Sequence, residues 1–317
     1  MSHKPRVLIS EYVHDAAVDY LRGHSEVHYD PTLYRDPARL EQSLHNVQAL
    51  MVRNQSQVNA ALIANSELTV VGRVGVGLDN LDLPALKEAG IVVTWAPGTN
   101  AVSVAEYVLG VMLELSRRFR EISAQLQQGR WERQAAIGYE LYGKTLGIIG
   151  LGDIGSRLAR RAEVLGMRVI ANDPIVHESS LAVQEFGIMQ QDFASVLRQA
   201  DFLSLHLPLL PSSYNLINAE SLALLQPHAV LINTSRGGLI DEQALATALR
   251  QKQLAAAVLD VRQNEPPGEA DPLRGLDNLI LTPHIAGVTH ESNQRASMHV
   301  AKDIVRVLRG EKALSVV

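Results

Sequence analysis

Residues Gly150-Leu151-Gly152-Asp153-Ile154-Gly155 follow the pattern Gly-x-Gly-x-x-Gly, and their flanks decide how they fold. Thr145–Gly150 is a short apolar run with the length of a buried strand, and Gly155–Leu165 has helical spacing. Between a strand and a helix each glycine has a task. Gly150 permits the tight turn, Gly152 lets a pyrophosphate approach the backbone, and Gly155 lets helix and strand pack closely. Asp153 and Ile154 complete the loop, where a helix N-terminus offers free N–H groups and a positive dipole end to phosphates. The next strand, Arg168–Asn172, runs into Asp173, about 20 residues past the glycines and placed to accept hydrogen bonds from an adenosine ribose. A carboxylate there repels a 2′-phosphate and no arginine follows at once, so NAD rather than NADP is the expected cofactor.

Strand and helix alternate outward from this loop. Apolar runs at Phe202–His206, Ala229–Thr234, Ala255–Val261 and Leu279–Thr282 follow it, with helical segments at Asp192–Gln199, Ala219–Leu224 and Asp241–Arg250. Upstream, strands are expected at Arg6–Ser10, Glu26–Tyr29, Ala49–Arg53, Leu68–Val74 and Ile91–Thr94. Helices are expected at His14–Arg22, Pro37–Leu44, Asn59–Ala64 and Pro84–Ala89. The alternation predicts an α/β protein of two units with parallel sheets, broken near Pro97–Asn100. One long amphipathic helix is expected over Val102–Gln128. The last helix, about His290–Arg309, has no strand of its own to complete and is free to pack back on the first unit.

The composition narrows the function. The 317 residues suffice for two domains. A net charge of −5, from 29 Lys+Arg against 34 Asp+Glu, gives no overall positive field for nucleic acid or anionic lipid, so neither is an expected partner. Cysteine is absent, which removes disulfides, thiolate metal sites and cysteine nucleophiles. No metal site is expected: His284 and His290 lack a convincing ligand set. Met1–Arg6 and the short run Val7–Ser10 are too brief for a signal-peptide core, so a cytoplasmic location is the expectation.

Ligands of open α/β sheets bind beyond the carboxyl ends of the strands. Three groups of different chemistry stand there: Arg236 in Ser235-Arg236-Gly237-Gly238, Glu265 before Pro266-Pro267, and His284 after Pro283. An arginine fork followed by two glycines is a natural carboxylate clamp. Singly each has a bland reading, as a surface arginine, a solvated loop acid or a core histidine. Together they leave consecutive strands beside a dinucleotide loop.

With these motifs the sequence resembles the D-isomer-specific 2-hydroxyacid dehydrogenases, nearest their phosphoglycerate dehydrogenase branch, over almost its whole length. Further matches are Val71–Asn80, Trp131-Glu132-Arg133, Asn233–Gly238 and Leu259-Asp260-Val261. The resemblance implies two Rossmann-like or flavodoxin-like domains, with an NAD domain (100–287) inserted into a discontinuous substrate domain (1–99 and 288–317). It implies that Arg236 holds the substrate carboxylate and 2-oxygen, with backbone N–H groups of Gly75, Val76 and Gly77 on the same carboxylate. His284 would be the general acid–base, oriented by Glu265. Asp260 would contact the nicotinamide carboxamide, while Thr234 and Val76 would lie near the cofactor. The region of the long helix would form a two-fold dimer interface, the alternative being intramolecular packing.

The substituent at C3 must be read elsewhere. Arg53 matches a substrate-facing position of the branch, and Arg73 and Arg133 match basic positions at its active-site mouth or dimer contacts. These arginines suggest a second anion on the substrate. The sequence departs from the phosphoglycerate enzymes at Arg262-Gln263-Asn264, at Ala286-Gly287-Val288, and in stopping at Val317. The expected substrate is (2S)-3-sulfolactate, with 3-phosphoglycerate and hydroxypyruvate/glycerate kept open. A reading of another class, a non-catalytic NAD-sensing corepressor of the same fold, also stays open, although no disordered interaction tail is visible.

Overall fold

The computed structural model describes residues 4–177 and 180–317. Met1, Ser2 and His3, part of the expected first domain and of the N-terminal lead-in, lie outside the described residues. The chain runs β1 (Arg6–Ile9), α1 (Asp15–His24), β2 (Glu26–Tyr29), α2 (Pro37–Ser43), β3 (Ala49–Val52), α3 (Ala60–Ile63), β4 (Val70–Arg73), α4 (Leu83–Glu88) and β5 (Val92–Trp95). It continues through α5 (Ala101–Arg117), α6 (Phe119–Gln127), β6 (Thr145–Ile149), α7 (Asp153–Val164), β7 (Arg168–Asn172), α8 (Leu181–Phe186), β8 (Met189–Gln190), α9 (Phe193–Gln199) and β9 (Phe202–Leu205). The remainder is α10 (Ala219–Leu222), β10 (Val230–Asn233), α11 (Glu242–Arg250), β11 (Ala256–Leu259), β12 (Leu279–Leu281) and α12 (His290–Leu308).

Two compact units result, Met1–Asn100 with Val288–Val317, and Ala101–Gly287. The first holds a parallel sheet in the order β2-β1-β3-β4-β5, the flavodoxin-like arrangement, whose switch point lies between β1 and β3. The central strand β3 is buried on both faces, which is why it reads as an unbroken apolar run. Within this unit α12 lies against α1 and β4 so closely that a Cβ on Gly72 would stand 2.5 Å from Val300 Cγ1.

The second unit holds a seven-stranded parallel sheet, β12-β11-β10-β9-β6-β7-β8. Numbered from β6 this is the dinucleotide-binding order extended by one strand, and its switch point falls between β6 and β9, where the glycine loop emerges. One face is covered by α5 and α7, through Ala105, Val108 and Met112 against Leu146, Ile148 and Ile232.

The long helix expected over Val102–Gln128 is instead two helices, broken at Arg118. Arg118 takes a left-handed conformation (φ 49°, ψ 42°). The Ser116 carbonyl is claimed from outside the helix by the Tyr139 N–H at 2.9 Å, and the Glu114 carboxylate accepts the Arg120 N–H at the start of α6. These bonds replace the helical ladder at the break.

Candidate active site

The glycine loop divides its labour visibly. Gly150 has φ +97°, and a Cβ there would lie 2.3 Å from the His206 carbonyl oxygen. A Cβ on Gly155 would lie 2.1 Å from the Gly150 carbonyl oxygen. Gly152 caps α7, and a Cβ there would meet no atom within 4 Å. Glycine is therefore demanded at two positions by the protein's own packing and at the third only by something yet to approach. No side chain caps α7, and a helix N-terminus of this kind suits an anion. Asp153 is exposed in the first turn and pairs with Arg157 at 3.3 Å, and Ile154 is half-buried.

Asp173 follows β7 and clamps this loop. One carboxylate oxygen accepts the Leu151 N–H at 2.7 Å, and the other accepts those of Ile175 and Val176 at 2.9 and 3.3 Å. The first oxygen keeps acceptor capacity for a hydroxyl donor. Thr234, after β10, is buried and its hydroxyl finds no protein partner, an orphaned polar atom of the kind a bound group satisfies. An open Gly152, a free helix start, Asp173 and the Thr234 hydroxyl together fit a dinucleotide.

His284 leaves β12 with φ 57°, a conformation its surroundings must hold. Its N–H donates to the Asp260 carbonyl at 2.8 Å. The buried Asp260 carboxylate gathers the rest of the loop, accepting from the Thr282 hydroxyl (2.6 Å), the Ile285 N–H (2.8 Å) and the Ala286 N–H (2.8 Å). Because Thr282 spends its proton on Asp260, the Tyr107 hydroxyl on α5 must donate to Thr282, at 2.7 Å. Burial, with the Asp260 charge in support, raises the Tyr107 phenol above its ordinary range and keeps it a donor. Asp260 thus has a task that the sequence did not show: most of its acceptor capacity goes to holding the histidine loop.

The imidazole Nδ1 of His284 lies 2.8 Å from Glu265 Oε2. A carboxylate only accepts, so Nδ1 carries the proton and Nε2 is left for other work. Both side chains are partly open to solvent, 50% for His284 and 39% for Glu265. The other Glu265 oxygen accepts the Arg262 N–H at 3.0 Å.

Arg236 follows β10, half-buried, with Nη1 donating to the Ser235 carbonyl at 2.8 Å. The glycines after it serve packing rather than clearance for the guanidinium. A Cβ on Gly237 would stand 1.9 Å from the Arg262 carbonyl carbon, and one on Gly238 2.8 Å from Leu209. Arg262 itself is buried, with 8% of its side chain exposed, and forms two-pronged pairs with Glu242 (3.0 and 2.9 Å) and Asp271 (3.2 and 2.7 Å). Burial alone would lower the guanidinium pKa; the two carboxylates outweigh it and hold it above its ordinary value. Sequence reasoning missed Glu242 and Asp271 and read Arg262 only as a departure. The one available signal was an arginine directly after a buried strand.

In the first unit, Arg53 leaves β3 at the switch point, beside the end of β1. Glu11, buried after β1, accepts the backbone N–H groups of Arg53, Gln55 and Ser56 at 2.8, 3.1 and 2.9 Å. Asn80 donates to the Arg53 and Ser56 carbonyls, and the Arg53 guanidinium donates to Asn293 Oδ1 at 3.2 Å. Gly75 has φ +144° and is covered by the Arg73 guanidinium, so Arg73 lies against the backbone where Gly75, Val76 and Gly77 follow β4. Val76 and Gly77 are half-buried, and Arg133 is exposed on the segment after α6.

The profile described as "D-isomer specific 2-hydroxyacid dehydrogenase, NAD binding domain" matches residues 109–286. The chain is 46% identical over 303 residues to a protein named (S)-sulfolactate dehydrogenase from Chromohalobacter salexigens, covering 95% of this chain and 98% of that one. It is 40% identical over 314 residues to a D-3-phosphoglycerate dehydrogenase of Methanocaldococcus jannaschii, covering 98% of this chain but 59% of that protein. Among solved structures, the TT0316 protein of Thermus thermophilus superposes with a TM-score of 0.90 at 32% identity, covering 98% of this chain and 99% of the other.

Proposed function

Since the chain belongs to the D-isomer specific 2-hydroxyacid dehydrogenases, NAD-dependent oxidoreductases, we propose that it interconverts (2S)-3-sulfolactate and 3-sulfopyruvate. The observation that carries the chemistry is the 2.8 Å bond between His284 Nδ1 and Glu265 on a loop fixed by Asp260. NAD supplies the hydride acceptor at C2. Arg236 would hold the carboxylate and 2-oxygen, and the N–H groups of Gly75, Val76 and Gly77 would be further donors to a carboxylate. His284 Nε2 takes the hydroxyl proton as C2 becomes a carbonyl, and returns it in reduction. Glu265 steadies the imidazole and the cation it becomes. The cofactor would be held by the N–H groups around Gly150, Gly152, Asp153, Ile154 and Gly155 and by Asp173, with Val76, Thr234 and Asp260 as further contacts.

For the C3 group, Arg53 brings one positive charge and its partner Asn293 a neutral amide. One charge and one neutral donor match a sulfonate, which carries a single negative charge, better than a phosphate monoester, which carries nearly two. The identity to a named sulfolactate dehydrogenase supports the same choice.

The test is initial rates of NADH oxidation with sulfopyruvate, phosphohydroxypyruvate and hydroxypyruvate. The expected result is a kcat/KM for sulfopyruvate about tenfold or more above the other two. Preference for phosphohydroxypyruvate overturns the substrate assignment and leaves the reaction type standing.

We also propose that two copies pair through the segment from α6 to β6. Phe119, Leu126, Trp131, Ile137, Tyr139 and Tyr142 are all exposed there. A monomeric mass in light scattering would overturn the pairing. No helix among the described residues is long and apolar enough to cross a membrane. We place the enzyme in the cytoplasm, with the soluble NAD pool.

A further inference from the structure

Arg262 touches Glu265 and the backbone beside Arg236 without belonging to the proposed machinery. Its side chain joins three chain segments. It grips Glu242 in the first turn of α11 and Asp271 ahead of β12, and it stands itself just after β11. Its backbone reaches Glu265 and the neighbour of Arg236. Its N–H donates to Glu265 Oε1, and its carbonyl lies against Gly237, the residue after Arg236, in a space that admits no Cβ. The neighbouring Gln263 is tied down the same way, its N–H to Glu242 and its amide to the Ile240 carbonyl.

We propose that Arg262 is a positioning residue for the acid–base pair. Its buried fork fixes the 262–265 backbone and so keeps the Glu265 carboxylate on His284 Nδ1. The inference rests on the proposed acid–base roles of His284 and Glu265. The physical reason is geometric. Glu265 and His284 are both partly exposed, so their contact is not enforced by packing around the side chains. It has to be enforced from the backbone behind Glu265, and there the Arg262 guanidinium is held by four hydrogen bonds to two carboxylates, one of which also takes the Gln263 N–H. Lysine at this position keeps the charge but loses the planar fork, and with it the fixed angle between α11 and the loop. The groups facing His284 within its own unit are Glu265 on the imidazole and Asp260 on the loop backbone, and neither is altered in that variant.

The test uses the full chain labelled with nitrogen-15 in its histidines, at a pH where the imidazole is neutral, with His284 assigned by its absence in His284→Gln. In the parent the proton is expected on Nδ1, as the Glu265 contact requires. Glu265→Ala is expected to release it to a mixture favouring Nε2. Arg262→Lys is expected to give an intermediate mixture with Glu265 still present, and to lower kcat for 2-oxo acid reduction about tenfold while KM stays within about threefold. The double variant Arg262→Lys/Glu265→Ala is expected to match Glu265→Ala alone, because the arginine acts through the glutamate. A parent-like Nδ1 signal in Arg262→Lys, or effects of the two substitutions that simply add, overturns the proposal. If Arg262→Lys does not fold, Asp271→Asn, which leaves the Glu242 fork in place, is read by the same two criteria. The nitrogen signal needs no turnover, so it decides the positioning role even where the substrate panel contradicts the proposed substrate.

Discussion

Adding one methyl group to the second or the third glycine of the loop should have opposite consequences. In Gly155→Ala the backbone conformation is one alanine accepts, and inside a helix alanine is favoured over glycine by about 1 kcal/mol. The new Cβ, however, would sit 2.1 Å from the Gly150 carbonyl oxygen and 3.3 Å from Ile148 Cγ2, where ordinary contact begins at 3.4 Å. The carbonyl must retreat by more than an ångström from a turn pinned by the Gly150 N–H on Asn172 and by the His206 carbonyl on its other side. Overpacking costs about 1–3 kcal/mol, and a shift of more than an ångström stands at the top of that range, leaving a net loss of up to about 2 kcal/mol. In Gly152→Ala nothing is displaced. Alanine is a poorer helix cap than glycine by several tenths of a kcal/mol, and the stiffer unfolded chain returns about as much, so stability should change by less than about 0.5 kcal/mol. The methyl would instead occupy the space left for the pyrophosphate, and NADH affinity should fall at least about tenfold, or 1.4 kcal/mol. Urea unfolding and NADH fluorescence titration on the two variants separate these effects. Parent-like NADH affinity in Gly152→Ala would refute the assignment of that open space to the cofactor.

Asp260→Asn should lower kcat about tenfold and destabilise the protein by about 1–3 kcal/mol, because an amide cannot accept from all three donors and at least one buried N–H or hydroxyl loses its partner. Steady-state kinetics with urea unfolding check this, and an effect confined to NADH binding would show that the loop does not depend on Asp260. Burial pushes the His206 imidazole down to about 3, so the fold keeps it neutral where the unfolded chain begins to protonate below about 6.5. The unfolded state binds more protons in that window, so stability falls on acidification, by at most about 1.4 kcal/mol per pH unit from this group. His206→Asn should flatten the decline of urea-unfolding stability between pH 6.5 and about 4.5. Parallel curves for parent and variant would refute it.

What the sequence revealed and what it hid follow from the same geometry. Strands buried on both faces appear as apolar runs, so β3 and β10 were readable to within a residue or two. The expected ends overran the ladders at Ser10, Arg53, Gly150, His206 and Thr234, the residues with which the chain leaves the sheet. The break in the helix after α5 was hidden, because Arg118 is neither glycine nor proline and its cause is a carbonyl claimed by Tyr139, a residue beyond the helix. The short α8 and β8 carry too few residues for a period to show. Arg236, Glu265 and His284 were legible as polar residues at strand ends. Glu242, Asp271 and Glu11 were not, because their partners lie 20, 9 and 42 residues or more away, and no spacing rule connects them.

Glu11, Asp260 and Glu242, which are buried, and Asp173, which is half-buried, share one use. Glu11 gathers N–H groups of the Arg53 loop, Asp173 that of Leu151 in the glycine turn and those of Ile175 and Val176 after β7, Asp260 those after His284, and Glu242 that of Gln263. Loops leaving the carboxyl ends of parallel strands carry N–H groups that no neighbouring strand satisfies, and a carboxylate binds several of them more strongly than a neutral acceptor does. Such an acid is spent on its loop and is poorly placed to exchange protons. Glu265 accepts one N–H and turns its second oxygen to an imidazole, with 39% of its side chain exposed against 1% of Asp260. Burial therefore separates the acids that build the loops from Glu265, the one that meets the proposed acid–base histidine. On that basis Asp260→Asn should act on kcat through the shape of the His284 loop, and Glu265→Ala through the tautomer of His284 in a loop that keeps its shape.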